Sequence, residues 1–329
     1  MPCYFETKEN IEVVQWEPIS LKEVTSYPLR KRKSKVHLGD FSKPWTRGET
    51  FQHWLDSLPE ILAAKDFRQI THVMAQAVEK GKLIILAMGA HPIKVGLNPV
   101  IIDLMERGLI SAIALNGAGI VHDSELAMIG KTSEDVPEQL GEGKFGMSEE
   151  TGRFVNRAIR DGLKGDCGLG QAVGAMLVKE NFPYNKQSLL ARAYELDMPV
   201  TVHVAIGTDV IHCHPDVDGA ALGRTSHLDF RIFAGLVSRL DEGVFINLGS
   251  AVILPEVFLK ALSLVRNLGY PVKNLTTVNM DFIHHYRPMT NVVNRPTQEG
   301  GQGYALLGHH EIMFPLLAAA LIEEIERGL

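Results

Sequence analysis

Six apolar residues in a row, Leu83 to Met88, stand between Gly81 and Gly89, and this run limits the fold more than any other stretch of the 329-residue chain. An uninterrupted apolar run bounded by glycines reads as a strand buried on both faces of a parallel sheet. Gly89-Ala90-His91-Pro92 then turns the chain. Leu97 to Arg107 carries apolar residues at Val100, Ile101, Leu104 and Met105, the spacing of a helix with one buried face, and Gly108 stops it. A second apolar run, Ala112 to Leu115, follows at once. Strand, helix and strand in so short a span make a βαβ unit with a right-handed crossover, so both strands end on the same edge.

The alternation continues. Helices are expected at Phe51 to Leu62, Arg68 to Lys80, Asp123 to Ile129, Ser148 to Gly162 with a cap at Ser148, Gly170 to Glu180, Gln187 to Leu196, His227 to Leu240, Pro255 to Leu268 and Glu311 to Arg327. Strands are expected at Pro199 to Ala205, Val244 to Leu248 and Leu275 to Asn279. The sum is an α/β fold: a doubly wound, mostly parallel sheet with a Rossmann-like edge. No repeat or linker divides the sequence, so residues 1–329 read as one domain with an irregular arm at about 1–50, broken by Pro18, Pro28 and Pro44. Residues 137 to 147, PEQLGEGKFGM, are turn-rich and suit a mobile segment over a site.

A net charge of -6 argues against a partner held through nucleic-acid phosphates, and the run Arg30 to Lys33 with Lys35 is short enough to be a solvated loop. Three widely spaced cysteines, Cys3, Cys167 and Cys213, suggest neither a disulfide framework nor a zinc site. No apolar stretch reaches membrane-span length and MPCYFETKEN lacks a signal-peptide core, so the expectation is a cytoplasmic protein with no membrane partner.

Ligands of open α/β sheets bind outside the carboxyl ends of the strands. Two glycine-rich turns fall there, Gly89-Ala90-His91 and Asn116-Gly117-Ala118-Gly119, and they serve either a ligand or the backbone alone. Asp123 reads as an N-terminal helix carboxylate or as the acceptor of a cationic amine, and Asp209 as a turn residue or a ribose-hydroxyl acceptor. Of thirteen histidines, His203, His212, His214, His284, His285, His309 and His310 lie at or after strand ends. They suit acid/base work, metal ligation or structural hydrogen bonding; His212 and His214 would share one face of an extended segment. Asn291 to Gly303 reads as a long polar loop in which Arg295 could clamp an anion.

With these motifs in view, the chain from about Lys82 to its end resembles the deoxyhypusine synthase family. GAHPIKVGLNPVIIDLMERG stands where that family has a turn before an isoleucine-rich helix, and Asn116 to Gly119 followed by His122 and Asp123 stands at its Thr-Thr-Ala-Gly-Gly turn. Ile206-Gly207-Thr208-Asp209 is similar to its aspartate-bearing turn, Leu248-Gly249-Ser250-Ala251 to its next glycine turn, and Glu311 to Leu317 to its terminal Phe-Pro-Leu-Leu motif. The resemblance implies an NAD-dependent homotetramer that oxidises spermidine and moves its aminobutyl group through an enzyme-lysine imine to a protein lysine. It implies that NAD is held by Gly89, Ala90, His91, Asn116, Gly117, Ala118, Gly119, Asp209, Gly249, His309 and His310. Catalysis is expected of His122, Asp123 and His285. The chain departs at one decisive place: its last lysine is Lys273, so residues 282–310, where the imine-forming lysine would lie, have none. Lys94 is the lysine nearest the expected edge, placed to snorkel along a helix start. The expected function is therefore an NAD-using enzyme of this class acting on a small amine or polyamine. The alternatives are a non-catalytic nucleotide-binding relative and a metal-dependent enzyme built on the histidines.

Overall fold

A computed structural model describes residues 16–328, so Cys3 and the first part of the expected arm lie outside the described residues. The chain divides into two units, Met1–Phe41 and Ser42–Leu329. Within the first, the described residues hold two three-residue 3-10 turns, Leu29–Lys31 and Leu38–Asp40.

The second unit is built on six strands, β1 (Ile84–Met88), β2 (Ala112–Asn116), β3 (Val200–His203), β4 (Val244–Leu248), β5 (Thr276–Asp281) and β6 (Gln302–Leu307). They form one sheet in the order β3-β2-β1-β4-β5-β6, every neighbouring pair parallel. This is a Rossmann-like order, with the direction of winding reversing between β1 and β4. The helices are α1 (Phe51–Ser57), α2 (Leu62–Glu79), α3 (His91–Lys94), α4 (Asn98–Glu106), α5 (Gly117–Ile129), α6 (Val136–Gly141), α7 (Glu149–Lys164), α8 (Leu169–Glu180), α9 (Leu189–Glu195), α10 (Gly219–Val237), α11 (Ile253–Asn267), α12 (Tyr286–Pro288) and α13 (His310–Gly328).

Helices cover both faces. On β1 the side chains alternate between two cores, Ile84, Leu86 and Met88 entering one and Ile85 and Ala87 the other. A strand with both faces buried has no polar side, which is why Leu83 to Met88 reads as a solid apolar run.

Three sequence expectations change. Asn116 is not in a glycine turn but caps α5, its side-chain oxygen accepting from the Gly119 N–H at 3.0 Å, so the helix starts at Gly117 and not at Asp123. Residues 291–303 are not one long loop, the irregular part being confined to 295–301. Met289–Asn294 form a π-helical turn and Gln302–Leu307 form β6. This edge strand is half exposed and carries Gly303, where a Cβ would overlap the Val293 carbonyl, so it lacks the apolar run of a central strand. His212 does not sit on an extended segment, since Val210–Cys213 is a 3-10 turn. Among the described residues no helix is long and apolar enough to cross a membrane.

Candidate functional site

The reversal between β1 and β4 brings Gly89 against Gly249. A Cβ on Gly89 would lie 2.8 Å from the Gly249 carbonyl oxygen, so the missing side chain lets two strand ends close together. Gly249 has φ +66°, and its open side is covered by the ring of His310, whose Cε1 would be 2.6 Å from a Cβ there. His310 opens α13 and is 1% exposed. Its ring centroid is 5.1 Å from that of His91, the first residue of α3, and the two planes meet at 73°. The ring of Phe282 meets both imidazoles edge-on, at 5.8 Å from His91 and 5.9 Å from His310.

Behind these rings lies Asp281, the buried last residue of β5. Its Oδ1 accepts from the Phe282 N–H at 2.8 Å and is 3.9 Å from His310 Nε2, while its Oδ2 is 3.9 Å from His285 Nε2. His310 Nε2–H donates to the Met280 carbonyl at 3.3 Å, which leaves Nδ1 as a buried acceptor with no partner among the described residues. Burial lowers the His310 pKa; Asp281 acts to raise it and His91 to lower it. The buried Asp281 carboxylate thus stands beside the His310 imidazole, with the His91 imidazole partly open to solvent, a grouping of the side-chain types that general acid/base chemistry uses.

The β2 and β3 ends are built differently. The space that a Gly117 Cβ would fill is taken by the Asp209 carboxylate, whose Oδ2 accepts from the Ala205 N–H at 2.9 Å. Burial raises the Asp209 pKa. Gly119 packs against Leu115, and Ala118 is half buried in the first turn of α5. Gly117 to Gly119 therefore do not form a bare phosphate cradle. The positive end of α5 already faces a carboxylate, which would repel a second anion.

Of the three expected catalytic residues, His285 alone joins the strand-end cluster. Asp123 sits in the interior of α5, wholly buried, and accepts from Asn98 Nδ2 at 3.0 Å, Ser188 Oγ at 2.6 Å, and the N–H groups of Leu189 and Leu190 at 2.8 and 3.0 Å. It caps the start of α9 from a distance, and four donors leave it no opening for an amine. His122 lies on the flank of α5, its Nδ1 2.7 Å from the Thr132 hydroxyl. Burial, aided by Lys94, lowers its pKa to about 4.

The remaining histidines disperse. His203 turns into the sheet beside Thr201 and Phe233, and burial lowers its pKa to about 4. His214 donates from Nε2 to the Gly146 carbonyl at 3.0 Å, and His212 Nδ1 accepts from the Gly207 N–H at 3.2 Å. His309 is exposed, its plane within 8° of that of Phe282 at 6.3 Å. Arg295 donates to Asn291 Oδ1 at 2.9 Å, within its own turn. Among the described residues no three His, Cys, Asp or Glu side chains are placed to hold a metal ion. Sequence reading missed Asp281 and Phe282. The available signal was a polar residue closing an apolar strand, obscured because the strand runs two residues past its expected end at Asn279.

No family model matches the sequence, and no curated protein matches it. Solved structures match by shape. A putative deoxyhypusine synthase from Entamoeba histolytica aligns with TM-score 0.52 at 12% identity, over 86% of this chain and 96% of that one. AgrE, in its ternary complex with ornithine and NAD+, aligns with TM-score 0.50 at 13% identity over 80% of this chain. The arginine dihydrolase ArgZ of cyanobacteria aligns with TM-score 0.46 at 18% identity over 80% of this chain. The chain spans about a third of these last two proteins, 33% of AgrE and 31% of ArgZ. At such identities the likeness is one of fold.

Proposed function

We propose that the chain is an NAD-dependent enzyme of the deoxyhypusine synthase-like class acting on a small amine, with its site at the reversal between β1 and β4. The observation that carries this reading is the strand order β3-β2-β1-β4-β5-β6 with His91, Asp281 and His310 gathered at the reversal. Dinucleotides bind in the crevice at that point of such sheets. AgrE, of similar shape, was captured with ornithine and NAD+, an amine and this cofactor together.

The residues fit the cofactor on one side. On the β1/β4 side, His91 and His309 would hold it, with the exposed ring of Phe282 as a stacking surface, while Gly249, covered by the His310 ring, only lets the strand ends close together. Asp209 suits a ribose diol or an ammonium group, but the start of α5 does not suit a phosphate. When bound, NAD supplies a hydride acceptor. The chain's own contribution is at the imidazoles: His91 meets the ligand, and the ring of His310, backed by Asp281, packs edge-on against His91 and holds it in place. Residues 282–310 contain no lysine and Lys94 is exposed on α3, so the family's imine has no candidate at this edge.

The carboxyl edge also exposes Phe282 by 46%, Ile283 by 49%, Tyr286 by 74% and Ile312 by 57%. An apolar patch of this kind at the site supports a homo-oligomer, a homotetramer by the resemblance, that covers it. NADH titrated into the protein should show enhanced, saturable fluorescence that His91→Ala weakens about tenfold, and light scattering should give a mass well above the 36.3 kDa chain. Absence of any NADH signal at millimolar concentration removes the cofactor from the account. Borohydride reduction after incubation with NAD and spermidine should leave no adduct on the intact chain. An adduct at Lys94 would reverse the loss of the covalent step.

A further inference from the structure

A cleft of about 1010 Å³ opens on the flank of the second unit, between the end of α5, residues 131–148 and one face of α7, and none of the strand-end cluster lines it. Its volume is at the upper end of small-molecule sites. Its floor is apolar, with Met128, Met147, Phe154 and Phe182, the two phenyl rings meeting edge-on at 5.4 Å. The turn-rich segment expected to lie over the strand edge instead forms the wall of this cleft.

The polar wall is organised around Glu125. Its Oε2 accepts from the Thr132 hydroxyl at 2.5 Å and its Oε1 from the Thr151 hydroxyl at 3.0 Å. Because the Thr132 hydroxyl gives its proton to Glu125, it accepts from His122 Nδ1–H. These neighbours fix the carboxylate without neutralising it, since His122 stays uncharged at neutral pH. Three of the cations nearby are engaged elsewhere, Arg153 with Glu149, Arg157 with Glu180 at 3.1 Å, and Lys144 with Glu142, while Lys131, which also lines the cleft, is exposed at its rim and pairs with no carboxylate among the described residues. Among the described residues Glu125 and Glu150 have no Lys or Arg partner, although both line the cleft.

We propose that this cleft binds an amphipathic monocation, a small molecule with an alkyl or aromatic body and one ammonium group. The ammonium meets Glu125 and the body lies on Met128, Met147 and Phe154. A fixed, unneutralised carboxylate above an apolar floor favours a cation with an apolar tail over an anion or a neutral molecule of the same length. The cleft wall is tied to the Asp209 loop, because Gly146 donates its N–H to Glu134 at 2.9 Å and accepts at its carbonyl from His214. The inference does not depend on the dinucleotide reading.

The test is calorimetric titration of the full chain at pH 7 with n-octylamine, n-octanol and n-octanoate. Octylamine should bind at least about tenfold more tightly than octanol, the size of one charge-assisted hydrogen bond, and octanoate should not bind. Glu125→Gln should bring octylamine down to the affinity of octanol. Met147→Lys, at a position 46% exposed and tolerant of change, should abolish octylamine binding while leaving the melting temperature nearly unchanged. Equal binding of octylamine and octanoate, no binding of octylamine, or an unaltered Met147→Lys affinity would each overturn the proposal.

Discussion

The two halves of the carboxyl edge use the same sequence signal, a glycine beside polar residues at a strand end, to opposite effect. At the β2 and β3 ends the space beside Gly117 is filled by the Asp209 carboxylate, and nearby Asp123 is locked by four donors. At the β1 and β4 ends the space beside Gly249 is filled by the His310 ring, and Asp281 stands 3.9 Å from each of two imidazoles. One half is held by short bonds from backbone to carboxylate. The other is packed from rings that keep unspent hydrogen-bonding capacity, such as His310 Nδ1. A site that must exchange protons belongs in the second half, because a carboxylate saturated by donors has nothing left to offer a ligand.

The largest expected effect separates the two aspartates. Asp123→Ala strands the buried N–H groups of Leu189 and Leu190 and the Ser188 hydroxyl, and should lower unfolding free energy in urea by about 4 kcal/mol. Asp281→Ala loses one short bond, to the Phe282 N–H, and should cost about 1 kcal/mol. Equal losses would mean that both halves are scaffolding alike.

The two glycines sharpen the comparison at a smaller scale. Gly117→Ala and Gly249→Ala should each cost about 2 kcal/mol by overlap with the residue that fills their space. Removing the obstacle should distinguish them. Gly117 lies in α5 with helical geometry, so adding Asp209→Ala should relieve most of the loss. Gly249 keeps φ +66° whatever faces it, so Gly249→Ala with His310→Ala should retain about 1 kcal/mol of backbone strain. Melting curves of the four variants and their double-mutant cycles would show whether the rescue is one-sided.

Strand positions were legible because burial on both faces leaves an unbroken apolar mark, as in Leu83 to Met88 and Ala112 to Leu115. The edge strand β6 was not, since Gln302, Gly303 and half-exposed neighbours carry no such mark. At the site, His91, His285, His309 and His310 could be named from their places after strands, yet His203 could not be set apart from them. Whether a side chain at a strand end turns outward or back under α10, as His203 does toward Phe233, depends on packing across the sheet. Asp123 misled for a similar reason: its partners at 188–190 are distant in sequence, and Asn116 had already started the helix.

The smallest effect is also the most specific, because the two halves should respond to pH with opposite slopes. Burial raises the Asp209 pKa above that of an ordinary aspartate. The native state thus holds its proton more tightly than the unfolded chain, and the contribution to stability, full below the unfolded value, is lost as pH rises through the folded one. Burial lowers the His310 pKa below that of an ordinary histidine. Here the unfolded chain binds the proton more readily, so the contribution is full above the unfolded value near 6.5 and is lost as pH falls through the folded one. Asp209→Asn should therefore gain stability relative to the parent as pH rises out of the acid range. His310→Gln should gain relative to the parent as pH falls below about 6.5. Urea midpoints of the three proteins between pH 4 and pH 8 provide the measurement. Parallel curves for the two variants would show that the halves share one electrostatic environment and that the imidazole cluster is not set apart for proton exchange.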